Sequence, residues 1–531
     1  MSTLHFPASV EPTETLARQN EINLLEAELR RIEDNSLRLK ATVFTRLNAI
    51  RSPCGKIPAE ILSFIFELVT APTNSIPPCF VGGLFIPEHT FFADATLFQV
   101  QFLSLHSLSS VCSFWRQVAW STTRLWSHLN LDLTVAMLNH HELALPRLYF
   151  DRSGDRPMSI AVDFRRVQPE AFPNIYRTSA DKVQSGNLDF KQMLLPLRHL
   201  ICIESARRVE YLQLNFPPPD WLPLLSKFTN LKRLELACLP YNQILPYQSM
   251  ALSGLGALKK LTIDGVNVDI ELPWSQITYL ELCHISFEAV ARLLTSCPNL
   301  IYFDAYALKR DPWQEPRHLP SEVTLPHLET FHWDWTFWND NHTVLLPRLR
   351  FPALQRLYWR EDDYEPEIGY LEHQEDIARF MEKLPSAQIH LRLNHFSVYD
   401  GEEAHLRLTT VLENMRYIKH LSIEEYDDAC GHDTLSAVAS LLHRSQREGK
   451  QMLPRLAQLS LLSSFPTSTY TKGLALLMQE RRAAGITSFR LDVPSWLKPE
   501  YWNPIARTQL KNIVEGGFKL EVFEGEQMLS W

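Results

Sequence analysis

The spacing of apolar positions changes character along the chain. Between Glu14 and Ile50 there is neither proline nor glycine, and Ile22, Leu25, Leu29, Ile32, Leu39 and Val43 recur on one helical stripe. Steps of three and four residues are the signature of a helix with a coiled-coil seam. Ser36 interrupts the seam, and the stripe either packs on the domain that follows or pairs with a second copy. Ser52-Pro53-Cys54-Gly55 ends the helix, because proline and glycine both break one. Two further helical blocks follow, Pro58–Val69 and roughly Phe98–Trp120. Between them Ala71–Asp94 holds four prolines and the pair Gly82-Gly83, and reads as a long loop.

From about Val209 a different pattern takes over, apolar-x-x-apolar-x-apolar. It occurs as Val209–Leu214, Leu231–Leu236, Leu258–Ile263, Ile277–Leu282 and Leu300–Ala305, then as Leu328–Trp333, Leu354–Trp359, Ile418–Ile423, Leu456–Leu461 and Ile486–Leu491. Gln388–Leu393 is a weaker member, and the starts lie roughly 19 to 38 residues apart. Alternation over the last four positions fits a short strand with one buried face, and intervening segments such as Phe287–Leu294 and Leu435–Arg444 have helical spacing. One strand–helix unit cannot bury its own apolar face, so neighbours must stack into a curved parallel sheet with outer helices. The pattern resembles the leucine-rich repeat family. Leu239, Val266 and Ile285 stand where that family has Asn or Cys, so the expected solenoid is irregular.

Composition narrows the function classes. An apolar fraction of 45%, a charged fraction of 21% and 13 Trp are those of a folded, soluble protein rather than a disordered one. The net charge of −9, with no Lys/Arg run, argues against binding a phosphate backbone. Cys54, Cys79, Cys112, Cys202, Cys238, Cys283, Cys297 and Cys430 form no C-x-x-C pair, which fits a reducing compartment. The start of the chain lacks the order of a secretory signal and no window reaches the length of a membrane span, so a cytoplasmic or nuclear location is expected. No phosphate-binding glycine loop is present, His140-His141-Glu142 lacks a second ligand four residues on, and there is no nucleophile elbow. The expectation is a non-enzymatic protein without metal or cofactor.

Within Ile57–Leu133 the chain reads IPAEILSFIFELV and, after the loop, LSSVCSFWRQVAWSTTRLWSHLNLDL. Ile57-Pro58, Trp115-Arg116 and Leu125-Trp126, in that order, resemble the opening, middle and closing pairs of an F-box, as found in the F-box proteins numerous in mushroom-forming fungi. The resemblance implies binding of a Skp-type adaptor and, through it, a cullin ubiquitin ligase, with the downstream repeats capturing the protein to be ubiquitinated. From the residues themselves, Ile61, Leu62, Ile65, Phe66 and Val69 cover more than one face of a short helix, more apolar surface than its own packing needs. Ile57, Pro58, Ile61, Leu62, Ile65 and Phe66 are therefore expected to meet the adaptor. Val111, Trp115, Leu125 and Trp126 either join them or form the core of the box.

Reading outward strand positions gives a candidate target-binding surface of Tyr211, Arg233, Tyr279, Tyr302, Tyr306, Arg356, Tyr358 and Arg360, rich in the Tyr and Arg that anchor protein contacts. Asp362, Asp363, Glu424 and Glu425 follow two of the strands; they either form an acidic rim that steers a basic segment or are merely solvated. Trp333 is expected in the core, while Trp335 and Trp338 either cap a pocket or simply follow the strand's alternation in and out of the array. The expected organisation is a helix over 1–51, an F-box-like domain over 52–135 with its loop at 71–94, a connector or cap over 136–205 and a repeat array over 206–531. The leading function is substrate recognition in a ubiquitin ligase. The alternative is a repeat scaffold that works without one.

Overall fold

The computed structural model describes residues 12–51, 57–70, 105, 107–133, 144–165, 190–237, 250–265, 270–306, 321–336, 345–362, 370–385, 389–394, 402–415, 417–424, 434–449, 452–462, 470–494, 498, 502–525 and 527–529. The chain forms two compact units, one of residues 1–75, 92–127 and 152–154 and the other of 76–91, 128–151 and 155–531.

The first unit begins with α1 (Pro12–Arg51), a single helix as the apolar spacing requires. Its stripe is not covered: Ile22, Leu25, Leu29, Ile32, Leu39 and Val43 are all exposed, so packing on the following domain is not how this helix is held. Next come α2 (Ala59–Thr70) and α3 (Ser113–Ser121), closed by a tight turn at Thr123–Trp126. The second expected helical block breaks at Cys112, whose sulfur caps α3 by accepting the Trp115 N–H at 3.4 Å. Leu62 and Phe66, one turn apart on α2, pack inward with Leu105, Val118, Ala119, Leu125 and Trp126. The loop expected at Ala71–Asp94 lies outside the described residues.

The second unit is a repeat array around one 15-stranded sheet in strict sequence order, counted among the described residues. Its strands are β1 (His128–Asp132), β2 (Met158–Asp163), β3 (Val209–Asn215), β4 (Arg233–Ala237), β5 (Lys260–Asp264), β6 (Tyr279–Cys283), β7 (Tyr302–Tyr306) and β8 (Thr330–Thr336). The order continues with β9 (Arg356–Asp362), β10 (His390–Asn394), β11 (His420–Glu424), β12 (Gln458–Leu461), β13 (Ser488–Asp492), β14 (Lys519–Glu524) and β15 (Gln527–Leu529). All neighbours are parallel until β15, which turns back antiparallel on β14. Two residue-pair ladders, Met250–Ala251 with Ile270–Glu271 and Val323–Thr324 with Leu349–Arg350, stand apart from it. Every apolar-x-x-apolar-x-apolar segment ends in one of these strands, including Gln388–Leu393.

The sheet begins earlier than the repeat pattern alone suggests. His128–Asp132 and Met158–Asp163, assigned above to the end of the box and to a connector, are its first two strands. Leu129, Leu131, Ile160 and Val162 are buried. Both segments alternate as strands should, but Met158–Asp163 lacks the leading apolar-x-x that marks the later repeats.

Crossover length follows repeat length. From β3 to β9 the starts are about 19 to 28 residues apart, and among the described residues most crossovers hold only tight turns such as Leu222–Lys227, Trp274–Gln276 and Leu346–Arg348, the helix Phe287–Ser296 being the exception. Beyond β9, longer repeats accommodate the helices Tyr370–Glu382, Glu402–Asn414, Thr434–Arg447, Tyr470–Ala483 and Pro504–Glu515. The fourth and sixth repeat positions meet these crossovers. Leu212, Leu234, Leu261, Leu280, Phe303, Phe331, Leu357, Leu391, Leu421 and Leu459 form one fully buried ladder. Trp333 and Trp359 lie in the next, where Phe331 stacks 5.5 Å from Trp333 and 5.6 Å from Phe303. Trp333 is thus core, as its position implied; the side chain of Trp335, and all of Trp338, lie outside the described residues.

Each ladder residue touches two neighbouring repeats, so removing one opens a cavity shared between them. Phe303→Ala should cost about 3–5 kcal/mol in a urea unfolding series. Leu25→Lys in α1, which removes no buried contact, should cost less than about 0.5 kcal/mol. Equal losses at the two positions would contradict this account.

Candidate functional site

In the first unit the question is which apolar side chains remain at the surface. The first turn of α2 closes on Pro58, whose carbonyl accepts the Leu62 N–H at 3.0 Å. Trp115 meets Phe66 edge-on with ring centroids 5.1 Å apart. The Trp126 indole N–H donates to the Ala119 carbonyl at 2.9 Å, and the Thr122 hydroxyl sits 2.7 Å from the Val118 carbonyl and 2.9 Å from Ser63 Oγ, joining α3 to α2. Leu62, Phe66, Leu125 and Trp126 are therefore core, and the expectation that Leu62 and Phe66 touch a partner directly is corrected: their positions on α2 put them on its packed side. Ile57 and Trp115 are half-buried.

The neighbouring side of α2 is apolar and open. Ile61 is 53% exposed, Phe64 59%, Leu68 62% and Val69 57%, with Ile65 beside them. Val111 is exposed as well. The Arg124–Glu67 ion pair, at 3.1 Å, links α2 to the closing turn. Phe64 and Leu68 were not among the candidates above, although helical spacing from Ile61 points to both.

In the second unit the parallel register sorts the outward side chains into rows. Tyr211, Arg233, Lys260, Tyr279, Tyr302, Thr330, Arg356, His390 and His420 are consecutive partners in one row. Gln213, Glu235, Thr262, Glu281, Asp304, His332, Tyr358, Arg392 and Ser422 form the next. Strands in register lie under 5 Å apart, so side chains along a row touch. Arg233 lies 5.1 Å over Tyr211, and Lys260 lies 5.5 Å over Tyr279. The Tyr279 and Tyr302 rings stack at 4.2 Å and 3°. His332 lies 3.7 Å from Tyr358, Arg392 lies 5.2 Å over Tyr358, and His390 stacks on His420 at 3.8 Å and 3°. Tyr211, Arg233, Tyr279, Tyr302, Arg356 and Tyr358 thus share one continuous surface, with Tyr306 and Arg360 in the adjoining row at the strand ends.

Beneath this ladder the second row is buried by its own neighbours. Glu235, Glu281 and Asp304 are nearly inaccessible. Arg233 pairs with Glu235 at 2.5 Å, and Thr262 donates to Glu281 at 2.9 Å. Asp304 Oδ2 lies 3.0 Å from the Tyr302 hydroxyl and 2.8 Å from His332 Nδ1. Burial, and then the nearby Asp304 charge, push the Glu281 carboxyl well above the usual carboxylate range. The same two causes, in the same order, raise the Tyr302 phenol.

The acidic rim takes a different form. Glu424 is buried on the sheet and accepts from Arg392 Nε at 2.6 Å, so it is an internal partner rather than a free surface charge. Burial raises its carboxyl, and Arg392 opposes that rise. Asp362 ends β9; its side chain, and Asp363 and Glu425 altogether, lie outside the described residues.

Further along, His390 Nε2 lies 2.7 Å from Ser422 Oγ, His420 Nε2 lies 2.7 Å from Ser460 Oγ, and Ser460 donates to Asp492 at 2.7 Å. Extending the outward-position rule to Gln388–Leu393 would have found this chain of polar groups. One three-residue group had no sequence signal at all. Asp264, Cys283 and His284 bring a carboxylate, a thiol and an imidazole within 4.8 Å of one another at the ends of β5 and β6.

His390 gives this surface a pH dependence. Burial, then the neighbouring His420, Arg392 and Arg356, lower its pKa from 6.5 to about 4. A lowered folded-state value means that the unfolded chain takes up the proton first, so the contribution of neutral His390 is present above pH 6.5 and lost as pH falls toward 4. Thermal melts across this window should show wild-type stability declining more steeply than that of His390→Asn. Parallel profiles would remove His390 as the cause.

No family model matches the chain, and no curated protein matches it in sequence. Among solved structures it is similar to a crystal structure of an internalin from Listeria monocytogenes, at 13% identity and a TM-score of 0.21, over 51% of this chain and 77% of that one.

Proposed function

We propose that this chain is the non-catalytic substrate-recognition subunit of a Skp–cullin–F-box type ubiquitin ligase, acting in the cytoplasm or nucleus. In this reading the first unit binds a Skp-type adaptor and the open face of the repeat sheet binds the protein to be ubiquitinated. The observation that carries the proposal is the divided apolar surface of α2. Leu62 and Phe66 hold the helix to its own unit, while Ile61, Phe64, Ile65, Leu68 and Val69 are left to water. Five large apolar residues on one short helix exceed what a soluble surface leaves scattered by chance, and a patch of this kind marks an interaction site. The pairs Ile57-Pro58, Trp115-Arg116 and Leu125-Trp126 supply the resemblance that names the partner.

The tyrosine-rich face of the sheet supports the second half of the reading. Tyr279 and Tyr302 are rigid, amphipathic and already stacked, so little side-chain freedom remains to be lost when a protein docks on them. Neighbouring Arg233 and Lys260 supply charge at the same surface.

Two sets of substitutions separate the halves. Ile61→Asp with Leu68→Asp should abolish co-purification of a Skp-type adaptor while leaving the melting temperature within about 2 °C, because both side chains are exposed. Tyr279→Ala with Tyr302→Ala should retain the adaptor and lose other captured proteins. An intact chain that ignores the adaptor, or α2 variants that keep it, would leave only a ligase-independent repeat scaffold.

A further inference from the structure

The ends of β5 and β6 are shaped differently from the rest of the sheet. Asp264 and Cys283 are direct partners in the parallel register and close their strands at equivalent repeat positions. Both strands then leave through left-handed backbone: Gly265 has φ 69° and His284 has φ 52°. Glycine adopts that conformation freely, whereas histidine does so at a steric cost. The Gly265 N–H donates to the Cys283 carbonyl at 2.9 Å, and the His284 N–H faces the Tyr306 carbonyl at 3.4 Å, so both turns are tied to the strands beside them. The result is that a single imidazole nitrogen, His284 Nδ1, lies 2.7 Å from Asp264 Oδ1 and 3.0 Å from Cys283 Sγ.

One ring nitrogen serves one in-plane partner well, yet here a carboxylate oxygen and a sulfur converge on the same atom. The same strand carries a second polar atom without a protein partner. Glu281, two residues before Cys283 on the same strand, is 2% exposed, and its Oε1 has no hydrogen-bond partner. Strand alternation puts both side chains on the same face of the sheet. A carboxylate, a thiol and an imidazole converging within 4.8 Å of one another are an arrangement that a cation relieves.

We infer that Asp264, Cys283 and His284 form a binding site for a zinc-type divalent transition ion, with a further coordination position left open on the face of the sheet. Thiolate, imidazole and carboxylate together suit such an ion and not calcium or magnesium, which prefer oxygen ligands throughout. Binding requires the Cys283 thiol to release its proton and His284 Nδ1 to be unprotonated, so uptake of the ion strengthens as pH rises. Nothing in this inference depends on the ligase reading, because the site belongs to the repeat sheet alone.

The probe is Co²⁺, followed by Zn²⁺, added to the full chain after chelator treatment in the presence of a phosphine reductant. The chain should take up one equivalent of Co²⁺ with a thiolate-to-metal absorption band, and Zn²⁺ should displace it. Cys283→Ser should lose the band, while Asp264→Asn and His284→Gln should each weaken binding about tenfold or more. Zn²⁺ should also raise the melting temperature of the wild type by more than that of those two variants at the same concentration. The side chains of Asp264 and His284 are 23% and 24% exposed, so these variants decide the matter even if Cys283→Ser fails to fold. A band that survives in Cys283→Ser, affinity unchanged in Asp264→Asn and His284→Gln, or no stoichiometric uptake by the wild type would each overturn the site.

Discussion

In a parallel sheet whose strands stay in register, each side chain lies beside the equivalent side chain of the next repeat, and that constraint governs the second unit. The repeats of this chain differ in length by almost a factor of two, yet the pairing from β3 to β12 never slips: Leu212 meets Leu234, Leu234 meets Leu261, and so on to Leu421 and Leu459. A slip of one residue would expose this entire ladder. Length differences are absorbed where register is indifferent to them, in crossovers that range from a three-residue turn at Trp274–Gln276 to a 14-residue helix at Thr434–Arg447.

The same constraint makes the open face more than a list of polar residues. Because equivalent positions are in contact, Tyr279 stacks on Tyr302 and His390 on His420 without any local motif to arrange them. It also buries charge. Glu235, Glu281 and Asp304 point away from the apolar core but are walled in by flanking rows, and their solvation is replaced by Arg233, Thr262, Tyr302 and His332. Desolvated carboxylates are costly unless partnered, which explains both the elevated Glu281 carboxyl and the dense hydrogen bonding around Asp304. Stacked rings and paired charges leave a face that is rigid before any partner arrives.

The first unit solves the reverse problem. A 12-residue helix, α2, carries apolar residues around most of its circumference. Leu62 and Phe66 suffice to fasten it, through Trp115 and the Thr122–Ser63 contact. What remains outside is apolar and surplus to folding. The helix is thus held by one side and open to water by the other.

Element type was legible from the residues alone: the long first helix, the helix of Pro58–Val69 and the strand in each repeat follow from local periodicity, which sterics translate directly into conformation. The outward positions carrying Tyr279, Tyr302 and Tyr358 were legible for the same reason. Other features were not, because they depend on partners distant in the chain. Helical spacing shows that Leu62 and Phe64 lie on different sides of α2, but only packing against Trp115 decides which side is covered. Glu424 looks like one of several surface acids until Arg392, 32 residues away, is placed against it. Asp264 and Cys283 are 19 residues apart in sequence and directly opposed in the sheet, and no spacing rule announces them. Local pattern sets the backbone state of each residue; tertiary register alone decides which distant side chains share a dielectric environment, and so which charges are paired, buried or free.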